Sequence, residues 1–305
     1  MATGRANPSC TCSGKRTPGW KSTSRRPNRW KPKQNRPGPV PASRNSADAT
    51  SMEQPLNPSS HYFHSHRLKL HYWDYGGPDD RPPLILVHGT QDHARSWDDF
   101  AREFRREYHV YALDLRGHGD SAWVEGAMYA FPEFMLDLVA FGGVVQRFPA
   151  AIVGHSLGGI VAMHYAGAFP ERVAAVVNIE GWGPPPATRT KTYTERLRTW
   201  AERVLAAESR TPRRYASIEE ATARMKEANP HLSDAMAAHL TRYGTNRTAD
   251  GSLIWKFDPY LRNLPRWACQ PNWPGNSSRL CNARYCASGA RKAGQPIWPR
   301  VRSFR

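Results

Sequence analysis

The sequence predicts an α/β protein, a doubly wound and mostly parallel sheet interrupted late in the chain by a block of helices. Three observations predict it. Short unbroken apolar runs such as Leu84-Ile85-Leu86-Val87 have the character of strands buried on both faces of a parallel sheet. Segments of helical periodicity alternate with those runs, which requires crossover connections and puts helices on both faces. The run Ala151-Ile152-Val153 breaks into Gly154-His155-Ser156-Leu157-Gly158 and then into a small-residue helical segment, so a strand turns sharply into a helix at a serine.

The net charge of +17 over 305 residues suggests a nucleic-acid partner until it is located. Residues 1–51 hold 11 Lys and Arg against one acid, and residues 265–305 hold eight against none. The 213 residues between carry 24 basic and 25 acidic groups, so the basicity belongs to the ends. Residues 1–51 contain only Trp20, Trp30 and Val40 as bulky apolar side chains, too few to bury a core, and read as a disordered basic arm. Met52, where globular patterning begins, reads as a natural start. The five cysteines (Cys10, Cys12, Cys269, Cys281, Cys286) all lie in the flanks and match no zinc spacing, which fits a cytoplasmic protein better than a disulfide framework. No run approaches the roughly 18 apolar residues of a membrane span, and the N-terminus lacks a signal peptide's apolar core. No specific nucleic-acid or membrane partner is expected.

In chain order, residues 61–66 and 68–75 alternate as paired strands before the turn at Gly76-Gly77-Pro78. Residues 84–87 form a parallel strand ending in His88-Gly89-Thr90. Trp97, Phe100, Phe104 and Tyr108 recur at helical spacing, with Asp98, Asp99, Arg102 and Glu103 on the other face. Residues 109–115 are the next strand, opening into Arg116-Gly117-His118-Gly119-Asp120-Ser121. Phe131, Phe134, Met135, Leu138 and Val145 stripe a helix that feeds the strand before Ser156. A helix over 157–169 stops at Pro170, and 173–179 is a further strand. The core so defined spans 52–183. Residues 184–252 read as helices, one opened by a Ser217/Glu220 capping box. An insertion at that place lies over the carboxyl ends of the strands, where ligands bind in open α/β sheets. Residues 253–264 lead back to the sheet as a short strand.

Ser156 sits where chemistry is easiest. The glycines at 154 and 158 permit a turn too tight for a Cβ, and the hydroxyl emerges at a helix N-terminus whose free N–H groups favour developing negative charge. That is the position of a nucleophile.

Four blocks, Leu84 to Gly89, Asp114 to Ser121, Gly154 to Gly159 and Phe169-Pro170-Glu171-Arg172-Val173, together resemble the α/β-hydrolase family, in its branch with a helical cap. The resemblance covers residues 61 to about 262. It implies Ser156 as nucleophile and an oxyanion hole made by the N–H of Leu157 and one at Thr90 or Gln91, with His88 and Gly89 shaping that loop. Related dehalogenases and epoxide hydrolases carry aspartate at the nucleophile position. Serine there implies hydrolysis of an ester, thioester, lactone or C–C bond of a small molecule through an acyl-enzyme, with no cofactor or metal.

The family's acid and histidine are expected on its last two strands, and there the sequence departs. No Asp or Glu follows Asp258 and no histidine follows His239. No apolar run beyond residue 265 exceeds Trp267-Ala268-Cys269. The last two strands are therefore expected to be missing, residues 265–305 to be an aberrant or disordered tail, and the sheet to expose an apolar edge. Glu180, at a strand end where some relatives place a relocated acid, is the alternative acid. Among His88, His93, His118, His155 and His164, His118 is the best placed base, but none is expected to reach the serine. Two function classes remain: a serine hydrolase weakened or silenced by the missing histidine, and a catalytically inactive small-molecule-binding protein of the same fold.

Overall fold

The computed structural model describes residues 56–181, 192–208, 211–263 and the backbone of 284–287. The basic arm, the boundary at 183–184 and most of the tail lie outside the described residues. Strands β1 (Ser59–Ser65) and β2 (Leu68–Asp74) form an antiparallel hairpin. His66 and Arg67 both have positive φ, 44° and 68°, the two-residue turn whose twist suits a hairpin. Strands β3 (Leu84–Val87), β4 (Val110–Asp114), β5 (Ala150–His155) and β6 (Val173–Ile179) are parallel, and β2 joins them antiparallel along β4.

Alternation along each strand divides the core into two. Ile85, Val87, Tyr111, Leu113, Ala150 and Ile152 face one side, packed by α2 (Phe131–Val145) and α3 (Leu157–Ala168). Leu84, Leu86, Val110, Ala112 and Val153 face the other, covered by Trp97 and Ala101 from a 3-10 turn (Ala94–Trp97) and α1 (Asp98–Phe104). Strands buried on both faces need the unbroken apolar runs that the sequence supplies.

Three helices follow: α4 (Tyr193–Glu208), α5 (Ile218–Ala228) and α6 (Asp234–Gly244). Ser217 and Ser233 cap the last two by accepting the backbone N–H of Glu220 and Met236. Strand β7 (Thr245–Arg247) then pairs antiparallel with β8 (Leu253–Trp255) in a separate ribbon. The short strand expected here on the way back to the core is present as β8, paired with β7 and not with the main sheet. The Thr248–Ser252 turn brings β7 within reach first, so β8's backbone is satisfied locally. The chain returns to the core through side chains: Asp258 accepts the Tyr129 hydroxyl at 2.6 Å, and Leu261 is buried in the cluster under α2 and α3.

Strand β9 (Arg284–Ala287) lies parallel to β6, pairing Ala175 with Arg284 through Asn178 with Ala287. The sheet order is β1-β2-β4-β3-β5-β6-β9. Where both last strands were expected to be missing, one is present. Residues 284–287 offer only the short apolar run Tyr285-Cys286-Ala287, and their place comes from backbone pairing at the open edge of β6, which pattern reading does not see. No described helix is long and apolar enough to cross a membrane.

Candidate active site

Ser156 joins β5 to α3 with φ 48° and ψ −111°, a backbone conformation costly for a residue with a side chain. The surroundings hold it there: Ser156 N–H donates to Ile179 O at 2.7 Å, and Gly158 N–H donates to His88 O at 3.1 Å. A Cβ on Gly158 would overlap the carbonyl oxygen of Val87, and one on Gly154 would overlap that of Gly158. Strand and helix can meet this closely only with glycine at both places. A serine heading a helix ordinarily spends its oxygen on the helix's own free N–H groups. Ser156 makes no such bond, so the strained turn keeps its hydroxyl for another partner.

The loop after β3 passes over the serine. A Cβ on Gly89 would lie 3.3 Å from Ser156 Cβ and 2.8 Å from His155 Nδ1. Buried His88 holds this loop from below, donating from Nδ1 to Gly89 O at 2.7 Å and accepting Leu115 N–H on Nε2 at 3.0 Å. Thr90 is exposed, and Gln91 adopts positive φ, 63°, which turns the chain into the 3-10 segment. Leu157, the first residue of α3, is buried, and its N–H is among the helix-start donors that lack a partner within the helix. Leu157, Thr90 and Gln91 thus belong to the two segments that meet at the Ser156 turn.

Behind them, buried Asp114 at the end of β4 ties together β2, the start of the 3-10 turn and the loop after β4. It accepts from His71 Nδ1 at 2.7 Å, Ala94 N–H at 2.7 Å and Asp120 N–H at 3.1 Å. Burial alone would raise its carboxyl, but the hydrogen bond and charge of His71 outweigh it and hold the group well below the usual carboxylate range. His71, Asp114 and Asp120 offer ligand atoms within 4.8 Å of one another. A metal there would have to displace these bonds and the Lys256–Asp120 ion pair at 2.7 Å.

The other candidates are dispersed. Glu180, at the end of β6 with φ 60°, is exposed, and its carboxylate lies 4.0 Å from His155 Nε2. His164 donates from Nδ1 to Ile160 O at 2.7 Å. Both His88 nitrogens are occupied. His118 is fully buried, with Nδ1 on Arg116 O at 2.9 Å and Nε2 without a partner. Burial, reinforced by His88 beside it, pushes its pKa down to about 3. The ring is thus buried, held uncharged near neutral pH and committed through Nδ1 to Arg116 O, not to the serine. Among the described residues no histidine is hydrogen-bonded to the Ser156 hydroxyl. Sequence reasoning missed Asn178, which holds the turn after β6 by accepting Gly181 N–H at 2.9 Å and donating to Gly181 O at 3.1 Å. An isolated Asn in an apolar strand is the only signal it leaves.

The depressed His118 pKa has a consequence for stability. The native ring stays neutral while the unfolded chain binds a proton below about pH 6.5, so stability is full above that pH and falls as pH drops toward 3. One such ring lowers stability by about 2 kcal/mol between pH 7.5 and 5. Burial lowers His88 in the same direction. Urea unfolding at the two pH values is expected to show the loss and His118→Gln to reduce it; pH-independent stability in wild type would contradict this.

The sequence profile of the alpha/beta hydrolase family matches residues 84–299. A serine hydrolase-like protein of Danio rerio is 30% identical over 186 residues, covering 60% of this chain and 56% of that protein. Serine hydrolase-like protein 2 of Homo sapiens is 27% identical over 217 residues, 69% of this chain and 65% of that one. The chain thus spans between half and two thirds of the length of these relatives. Among solved structures, an alpha/beta hydrolase from Novosphingobium aromaticivorans superposes with TM-score 0.59 at 23% identity, covering 75% of this chain and 80% of that chain, a likeness of fold.

Proposed function

The chain belongs to the alpha/beta hydrolase family, and on that premise we propose that it is a serine hydrolase in which Ser156 attacks the carbonyl of an ester, thioester, lactone or cleavable C–C substrate. The observation that carries this reading is the strained Ser156 backbone, φ 48° and ψ −111°, with a hydroxyl that does not cap its own helix. In the proposed step Ser156 Oγ bonds to the acyl carbon, its proton passing to solvent and the carbonyl π pair moving onto oxygen; collapse of that oxyanion re-forms the carbonyl and breaks the bond to the leaving group, which departs with a proton from water. The oxyanion receives the N–H of Leu157 and one from Thr90 or Gln91. Each such donor contributes about 10²- to 10³-fold. Helices α4–α6 act as the cap over the reacting group.

The described residues supply no base to carry the serine proton away. Turnover is therefore expected to be weak, because the oxyanion hole and binding alone give only about 10³- to 10⁴-fold over water. The same observation favours a second reading, a small-molecule-binding protein that keeps the pocket without the chemistry. Hydrolysis of p-nitrophenyl butyrate separates the two. Slow release that depends on Ser156 and disappears in Ser156→Ala supports the hydrolase. Equal background rates in both proteins would overturn it in favour of the binding protein.

A further inference from the structure

Where the residues after the oxyanion loop meet α6 and β8, a cavity of about 30 Å³ is lined by Gln91, Asp92, His93, Leu240, Trp255 and Lys256, among others. At roughly 10–15 Å³ per water it has room for two waters or the end of a substrate chain. His93 is 6% exposed. Its Nε2 donates to Leu240 O at 3.0 Å. In the neutral ring that fixes the proton on Nε2 and leaves Nδ1 a bare acceptor, buried without a partner. Two residues earlier, the Gln91 side-chain nitrogen is a buried donor that also lacks a partner.

The other polar walls are already engaged. Asp92 accepts His93 N–H at 2.8 Å and the Ser96 hydroxyl at 3.0 Å, and Lys256 pairs with Asp120. The residues that carry this unpaired acceptor and this unpaired donor both line the same small space, and buried polar groups are costly to leave unpaired. A carboxylate has no proton for Nδ1, and an ammonium has no lone pair for the Gln91 amide. A hydroxyl satisfies both and fits the volume.

We propose that this cavity is a specificity subsite for a substrate hydroxyl remote from the reacting carbonyl, which donates to His93 Nδ1 and accepts from the Gln91 side chain. Met225, Leu240, Trp255 and Phe257 contact the chain that carries it. The word substrate rests on the hydrolase reading; the binding itself does not.

The test uses the full chain carrying Ser156→Ala, so that ligands bind without turnover. Methyl ω-hydroxyalkanoates of six to ten carbons and methyl alkanoates of equal length are titrated, with affinity and the imidazole nitrogen shifts of His93 followed by NMR. One chain length is expected to favour the hydroxy ester by about 10- to 100-fold and to shift His93 Nδ1. Gln91→Glu, which replaces the donor by an acceptor while keeping shape, is expected to abolish the preference, as is His93→Phe. Equal affinities at every length would make the cavity an ordered-water site only and overturn the proposal. So would failure of every hydroxy ester to bind, or a preference that survives Gln91→Glu. A preference found in a chain whose wild type shows no Ser156-dependent hydrolysis would leave the subsite standing and remove the hydrolase reading alone.

Discussion

Replacing Arg116 by alanine is expected to destabilise the fold by about 3–5 kcal/mol. The guanidinium forks onto Asp137, Nε to Oδ2 and Nη2 to Oδ1 both at 2.7 Å, with Glu133 at 3.2 Å. Both side chains of the main pair are 1% exposed. Burial pushes the Asp137 carboxyl up even with Arg116 beside it, so the arginine is what keeps that carboxylate tolerable. Removing it strands a charge between the loop after β4 and α2. In thermal unfolding the loss amounts to a midpoint lower by roughly 10 °C for a domain of this size. The double substitution Arg116→Ala/Asp137→Ala should lose less than the two single changes added together, because it removes the stranded charge as well. A single-site loss below about 1 kcal/mol would mean that the pair is not holding the loop.

Gly158→Val is expected to slow acylation of Ser156 by about 10²- to 10³-fold, the effect of losing one oxyanion donor. The backbone of Gly158 presses against β3: its N–H is bonded to His88 O at 3.1 Å, and any Cβ there overlaps the Val87 carbonyl. A larger side chain must push α3 off the loop that carries Gly89, Thr90 and Gln91, moving Leu157 N–H with it. The sheet, packed elsewhere by α2 and α1, is expected to keep its far-UV circular dichroism signal. Unchanged acylation by an activated ester would show that the close approach of β3 and α3 does not position the donors.

The parts legible in the sequence are those with local signals. Apolar runs located β3, β4, β5 and β6, and the glycines at 154 and 158 marked the turn at Ser156, because a tight turn leaves its demand in the residue types themselves. What was not legible depends on partners distant in the chain. Strand β9 is placed by the open edge of β6, and β8 pairs with β7 because the turn at 248–252 delivers it there. His118 looked available on a loop, yet the fold buries its ring against His88 and removes its basicity. His93 and Gln91 read as loop residues, and only the arrival of Leu240 from α6 commits one nitrogen of His93 and leaves the other buried without a partner in a residue that lines a cavity. Glu180 reads from the sequence as a strand-end carboxylate, but the approach of His155 Nε2 to within 4.0 Å of it does not.

The central claim is that the turn between β5 and α3 presents Ser156 as a nucleophile. Its most direct test is reaction of the full chain with an alkyl fluorophosphonate, followed by intact mass and peptide mapping. The expected result is a single phosphonyl adduct on Ser156 that is absent from the Ser156→Ala chain. No adduct on wild type after prolonged exposure, or equal labelling of other serines in both proteins, would contradict the account.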